Sequence, residues 1–222
     1  MNFTTINRPF KSLKIGVSVL ALAMMTLTAS AQQEEHKNPN VRLGQKALLD
    51  GDFKGAITHL EKALPAESND ADVLYLLGYS QFQSGLYQKA SESFGKVIAL
   101  DAKNPNAYYY KAKANNVTAV NKELNLAAAK RAALLESAVA DYTKAIALNA
   151  SDAKLYQNRA IAYRDLAIAK GTEGVDGFDK VAAVSAYNKA ITDYEKVLSF
   201  DANRKDIQTE IKKAKVYRDL LK

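Results

Sequence analysis

Few residues of this chain could do chemistry. There are two histidines, His36 and His59, a carboxylate pair at Glu34 and Glu35, and the glycine-rich run GTEGVDG at 171–177. Catalytic and structural metal sites need several His, Cys or carboxylate ligands that converge, and the chain has no cysteine. The run lacks the alternating ligands and final Glu of a calcium loop, so it is read as a flexible turn. No nucleophile with a base and no phosphate-binding loop is recognisable. The sequence therefore predicts neither an enzyme nor a cofactor or metal.

A second candidate is the run NAYYYKAKA, residues 106–114, which places three tyrosines side by side. Tyrosine rings can stack on a sugar or form rigid contacts with a peptide, and they can equally pack in a core. Consecutive helical residues point about 100° apart, so the three rings cannot all face one partner. Their roles depend on the elements that carry them.

The N-terminus has the pattern of a secretory signal peptide over residues 1–31. Arg8, Lys11 and Lys14 precede the apolar run 15–27, and Ala29 and Ala31 have the spacing of a cleavage site. An uncleaved membrane anchor is the alternative, but a spanning helix needs roughly 20 apolar residues. Without a cysteine, a lipid anchor on cysteine is excluded. We expect a bacterial protein exported to the periplasm or secreted, with residues 32–36 disordered and no membrane span after cleavage.

Charge excludes one class of partner. The chain has 31 basic and 24 acidic residues, and loss of residues 1–31 leaves 28 basic residues and a net charge of +4. Nucleic-acid-binding surfaces need clustered Lys and Arg, which this modest and dispersed charge does not supply. We therefore expect no nucleic-acid partner.

Internal repeats organise most of the mature chain. The segments AITHLEKAL, ASESFGKVI, AVADYTKAI and AITDYEKVL begin at Ala56, Ala90, Ala138 and Ala190, and each places a large residue four positions after the alanine. An earlier small residue precedes each segment, at Gly44, Gly78, Ala112 and Ala160. Gly44 to Gly78 and Ala56 to Ala90 are both 34 residues apart. This pattern resembles the tetratricopeptide repeat, a 34-residue pair of antiparallel helices. The resemblance covers residues 37–204 and implies an all-α, right-handed α-solenoid of four helical hairpins.

The third and fourth repeats are longer than the family unit. Their two small residues lie 26 and 30 residues apart, against 12 in the first two repeats. The excess is close to four and five whole helical turns, so we expect both helices of each hairpin to be lengthened. The run from Leu124 to Tyr142 is read as one uninterrupted helix. The expected repeats are about 37–70, 71–104, 105–152 and 153–204.

Residues 205–222 are expected to form a capping helix. Its amphipathic stripe is read as Ile207, Ile211, Ala214, Val216 and Leu220, with charged residues opposite. A solenoid needs such a terminal helix, with a polar outer face, to cover its last apolar surface.

The resemblance also implies which residues face the concave groove, where partners of this family usually lie. These are the second, fifth, ninth and twelfth positions of the first helix of each hairpin. The predicted partner-binding residues are Tyr75, Tyr79, Phe82, Tyr109, Lys113, Lys154, Gln157 and Arg164. The family's two-carboxylate clamp is absent, because Val41 and Gln45, or Tyr75 and Tyr79, stand where it needs Lys and Asn. In the tyrosine run, Tyr108 is expected in the hairpin core, Tyr109 in the groove and Tyr110 at the groove's edge.

Together these features predict a non-enzymatic scaffold of the cell envelope that binds a peptide or protein of apolar and acidic character. Alanine at Tyr79 and Tyr109 is expected to weaken partner capture without unfolding the chain. Two alternatives stay open. Some of the rings could pack against the lengthened helices and never meet a ligand, or the tyrosines could serve as platforms for cell-wall glycan or peptidoglycan.

Overall fold

The computed structural model describes residues 36–221. The predicted signal peptide, and all but the last residue of the segment 32–36, lie outside this range. Nine α-helices follow one another within it: α1 (Pro39–Leu49), α2 (Phe53–Glu67), α3 (Ala71–Gln83), α4 (Tyr87–Leu100), α5 (Pro105–Val120), α6 (Ala128–Leu148), α7 (Ala153–Gly171), α8 (Lys180–Phe200) and α9 (Lys205–Leu220). A short 3-10 helix, Lys122–Leu124, lies between α5 and α6.

Each helix packs on the next along the chain, and the described part of the chain contains no β-strand. The prediction of an all-α solenoid is therefore confirmed. Several helices start with an Asn or Asp side chain that accepts a hydrogen bond from a free backbone N–H of the first turn, as Asn104 does from Ala107 at 3.0 Å. Pro39 and Pro105 occupy first-turn positions, where the missing N–H costs no helical hydrogen bond.

Small residues let paired helices approach closely. A Cβ on Gly44 of α1 would lie 2.6 Å from Cγ of Leu60, a fully buried residue of α2. A Cβ on Gly78 of α3 would lie 3.2 Å from the ring of Phe94 on α4. The repeated small residue thus marks the closest approach of the two helices in each of these hairpins.

We expect Gly44→Ala to lower the free energy of unfolding by about 1–3 kcal/mol, because Leu60 has no space to move away. Gly95→Ala is the matched control. Gly95 lies inside α4 with an ordinary helical backbone, and the nearest atom to its added Cβ would be Lys111 Cε at 3.9 Å. This change should raise stability by about 0.5–1 kcal/mol, since alanine favours a helix interior. Urea unfolding followed by circular dichroism measures both; equal effects of the two changes would contradict the packing argument.

The last two hairpins are taller than the first two, as predicted. Helices α5 to α8 have 16, 21, 19 and 21 residues, whereas α1 to α4 have 11 to 15. One detail differs from the prediction, because the run from Leu124 is not one uninterrupted helix. Asn125 adopts a left-handed backbone with φ 41°, which ends the 3-10 helix, and α6 begins only at Ala128.

Helix α9 covers the apolar end of α7 and α8 with Ile207, Ile211 and Ala214. The prediction was wrong for Val216 and Leu220, which are 59% and 77% exposed. The buried residues recur at steps of four and three, and Val216 falls about 160° from Ala214, its nearest buried neighbour in that stripe.

Helix α9 carries a polar face at the positions that small residues occupy in the earlier first helices. Lys212 stands at the position that Gly44, Gly78, Ala112 and Ala160 occupy in the earlier helices, and it is exposed. Gln208 and Lys215, which share this face one turn away, are exposed as well. This face of α9 is therefore solvated. Within the described range, no helix combines the length and apolar character needed to cross a membrane.

Candidate partner-binding surface

The predicted groove residues lie on α3, α5 and α7, the first helices of hairpins two, three and four. The structure brings five of them together between α3 and α5: Tyr75, Tyr79, Phe82, Tyr109 and Lys113. The other three, Lys154, Gln157 and Arg164, follow along α7.

Tyr110 is the centre of this arrangement. Its ring stacks on Phe94 with centroids 5.4 Å apart and meets Tyr79 and Phe82 edge-on at 5.4 and 5.5 Å. It also meets the rings of Tyr75 and Tyr109 edge-on. We call these six rings the aromatic cluster: Tyr75, Tyr79, Phe82, Phe94, Tyr109 and Tyr110. The expected position of Tyr110 at the groove's edge was wrong, because its ring fills the junction of hairpins two and three.

The cluster is largely interior. Tyr79 is only 8% exposed and Phe94 is fully buried, while the other four rings are half-buried. Burial raises the pKa of the Tyr75, Tyr109 and Tyr110 hydroxyls, so they are neutral at physiological pH. Alanine at Tyr79 would therefore remove core packing, and the expectation that it leaves the fold intact does not hold.

Tyr108 and Tyr109 pack against different parts of the hairpin. Tyr108 is half-buried against Ile146 and Leu155, in agreement with its predicted core position. Tyr109 lies against the same group and also meets the buried Tyr142 edge-on at 6.0 Å. Tyr109 thus joins the groove-side cluster to the hairpin core.

Lys113 lies on the solvent side of the cluster. Its Nζ is 5.4 Å from the centroid of Phe82 and 5.7 Å from that of Tyr109, within the range of cation–π attraction. Partial burial is the main cause that lowers the pKa of Lys113, and the positive charge of Lys154 lowers it further. Among the described residues, no carboxylate pairs with either lysine. The unpaired charge of Lys113 therefore lies beside half-buried aromatic rings, with the charge of Lys154 near it.

The remaining predicted residues have intramolecular partners. Arg164 contacts Asp165 at 2.8 Å and Glu210 of α9 at 3.2 Å. The Oε1 atom of Gln157 accepts a hydrogen bond from Arg204 at 3.2 Å. These contacts join α7 to the capping helix and its start, so of the predicted basic groove residues only Lys113 and Lys154 have no intramolecular ion pair among the described residues.

Sequence reasoning missed two features of this surface. The first is that Tyr110 of the next hairpin covers the groove aromatics of α3. The sequence signal for this contact was the position of Tyr110 directly after Tyr109. The second feature is a cation at the seventh position of the first helix, Lys111 or Arg159. Each pairs with an aspartate that precedes the large tyrosine of the second helix, Asp141 at 2.7 Å and Asp193 at 2.8 Å.

Comparisons with known proteins agree with this architecture. Residues 47–115 match the family model described as "Tetratricopeptide repeat". A crystal structure of MamA protein is similar, with 25% identity, a TM-score of 0.52 and coverage of 79% of this chain and 87% of that one. MamA residues 41 to the end, from Desulfovibrio magneticus RS-1, give 20% identity, a TM-score of 0.50 and coverage of 82% and 92%. No curated protein sequence matches the chain.

The family match covers the part of the chain in which the sequence repeats are most regular. The matched segment spans the end of α1, all of α2 to α4 and most of α5, including the aromatic cluster. The similar structures extend the likeness of fold over about four fifths of the chain. Residues 47–115 thus match the tetratricopeptide repeat family, and helical hairpins continue through the rest of the described chain.

Proposed function

We propose that this protein is a non-enzymatic scaffold that binds an acidic, partly apolar peptide or protein segment across α5 and α7. The observation that carries the proposal is Lys113, which lies over the rings of Phe82 and Tyr109 with a second unpaired lysine, Lys154, near it. A carboxylate of the partner would relieve the repulsion that these charges exert on each other. Charge-assisted hydrogen bonds to lysine are among the stronger polar contacts at interfaces.

The rings next to Lys113 supply the apolar part of the surface. Phe82 and Tyr109 are half-buried, so part of each ring stays accessible while neighbouring side chains hold the rest in place. Rigid aromatic side chains give contact area at little cost in conformational entropy. The proposed partner therefore places an apolar residue on these rings and an acidic residue between the lysines.

The glycan alternative fits this geometry less well. Sugar platforms need an open ring face, whereas Tyr75 and Tyr79 each meet Tyr110 edge to face inside the cluster. The proposal of a protein or peptide partner therefore takes precedence. We further propose that the protein acts in the cell envelope, on the strength of the signal-peptide pattern in residues 1–31. A mature N-terminus at Gln32 in an envelope fraction would be the check.

The experiment is a selection of peptides from a random displayed library on the full chain. We expect enriched peptides to combine Asp or Glu with an apolar residue. The double change Lys113→Gln and Lys154→Gln should weaken their binding about tenfold, as expected for loss of a charge-assisted contact. Binding is measured by fluorescence anisotropy of labelled peptides at two salt concentrations.

The matched control is Lys62→Gln with Lys144→Gln, which removes the same charge from exposed positions on the second helices α2 and α6. This control should bind the peptides as the unaltered chain does. Equal losses in both double variants would show a nonspecific effect of net charge and refute the proposed site. Enrichment of basic peptides would refute it as well.

A further inference from the structure

The lengthened ends of hairpins three and four border a partly open cavity. It lies between the end of α5, the start of α6 and the end of α7, and has a volume of about 550 Å³. Small-molecule sites in proteins commonly have 300–1,000 Å³. Its apolar wall includes Val120, Leu135, Ile168 and Val175. We call it the upper cavity.

The upper cavity is separate from the lysine pair. Val120 follows Lys113 by seven residues on α5, which corresponds to about 10 Å along the helix axis. Asn116 lies between them and donates a hydrogen bond to Asp165 of α7 at 2.9 Å. This bond joins the two first helices below the cavity. The residues that line the upper cavity belong to the inserted segments of hairpins three and four, and not to the 34-residue repeat unit.

The charges around the upper cavity are unbalanced. Asp165 is the acidic residue of its lining, and its carboxylate is neutralised by Arg164 at 2.8 Å. Arg131 and Lys122 also line the cavity, and neither forms an ion pair among the described residues. The guanidinium of Arg131 donates one long hydrogen bond, 3.4 Å, to the carbonyl of Leu126. The lining thus carries a net positive charge next to an apolar wall.

We propose that the upper cavity binds a small amphipathic carboxylate, with its apolar chain against Val120 and Ile168 and its carboxylate on Arg131. Ile168 is 49% exposed, so an apolar chain would remove a large part of this side chain from water. Arginine presents a planar fork of N–H donors that matches a carboxylate. This site goes beyond the proposed peptide surface and does not depend on it.

The probe is octanoate, with octanol as its uncharged counterpart, added to the full chain with labelled methyl groups. Nuclear magnetic resonance should show shifts at the methyls of Val120, Leu135 and Ile168 and none at Ile57 in hairpin one. Octanoate should bind about tenfold more tightly than octanol, because only octanoate offers an acceptor charge to Arg131.

Arg131→Gln tests the role of the guanidinium, and Lys130→Gln is the matched control. Lys130 is the preceding residue of α6, is exposed and does not line the cavity. The first change should abolish the preference for octanoate over octanol, and the second should leave it unchanged. The proposal is overturned if both ligands bind the unaltered chain equally, if Lys130→Gln weakens octanoate as much as Arg131→Gln does, or if the cavity methyls do not shift.

Discussion

Tyr110→Ala is expected to lower the free energy of unfolding by about 3 kcal/mol, the lower end for loss of a large aromatic side chain from a core. The ring of Tyr110 contacts five others, and its stacking on Phe94 joins α5 to α4. Its removal leaves a cavity that rigid rings cannot fill. Denaturant unfolding followed by circular dichroism measures the loss.

Tyr110→Phe is the matched control, because it keeps the ring and its contacts and removes only the hydroxyl. It should unfold at nearly the same denaturant concentration as the unaltered chain. In a solenoid, stability is divided among repeats and their interfaces. Hydrogen exchange in Tyr110→Ala should therefore accelerate first in hairpins one and two, which lose their main contact with the rest. Equal stability of the alanine and phenylalanine variants would contradict the central role of this ring.

Arg159→Ala is expected to cost about 3–5 kcal/mol, as for a buried ion pair that loses one partner. Arg159 Nε and Nη2 donate to the two carboxylate oxygens of Asp193, both at 2.8 Å, and Nη1 donates to Thr143 of hairpin three at 3.0 Å. The hydrogen bonds to Asp193 raise the pKa of Arg159. Asp193 is 4% exposed, so the change would leave its charge buried without a partner.

Two further variants separate the charge effect from packing. Arg159→Met with Asp193→Leu removes both charges and should recover most of the lost stability, because apolar residues can replace a buried ion pair. Lys215→Ala removes one partner of an exposed pair, Lys215 with Glu195 at 3.8 Å, and should have little effect. The argument fails if Arg159→Ala unfolds at the same temperature as Lys215→Ala, or if the double variant is no more stable than the single one.

Much of the fold could be predicted because the helix period and the small residues act locally. Gly44 and Gly78 predicted where paired helices meet, and the excess residues predicted taller hairpins, since whole turns can be inserted while a packing face is kept. The break at Asn125 was missed because a left-handed residue depends on a local hydrogen-bonding choice that composition does not show. Val216 and Leu220 were wrongly assigned to the buried face of α9. Residues on that face follow one another at steps of four and three, and neither residue fits this spacing after Ala214.

The candidate site was less predictable. Positions within the repeat correctly grouped the aromatics of α3 with Tyr109 and Lys113. They could not show that Tyr110 covers those rings, that Arg164 is paired with Glu210, or that the inserted turns border a partly open cavity. Each of these depends on contacts between side chains of helices that are distant in sequence. The repeat pattern does not specify how closely neighbouring hairpins pack.

By itself the sequence determined that this chain is a stack of helical hairpins with an apolar core and a polar end. The spacing of apolar and small residues is enough to indicate which helix faces are buried and where paired helices come close. The tertiary structure alone decided which of three adjacent tyrosines joins which neighbour. Consecutive helical residues point only about 100° apart, and the packing of two hairpins places Tyr108 in the core, Tyr109 on the groove side of the core and Tyr110 between the hairpins. It also left Lys113 and Lys154 without a carboxylate among the described residues, which is a property of their surroundings and not of their positions in the chain.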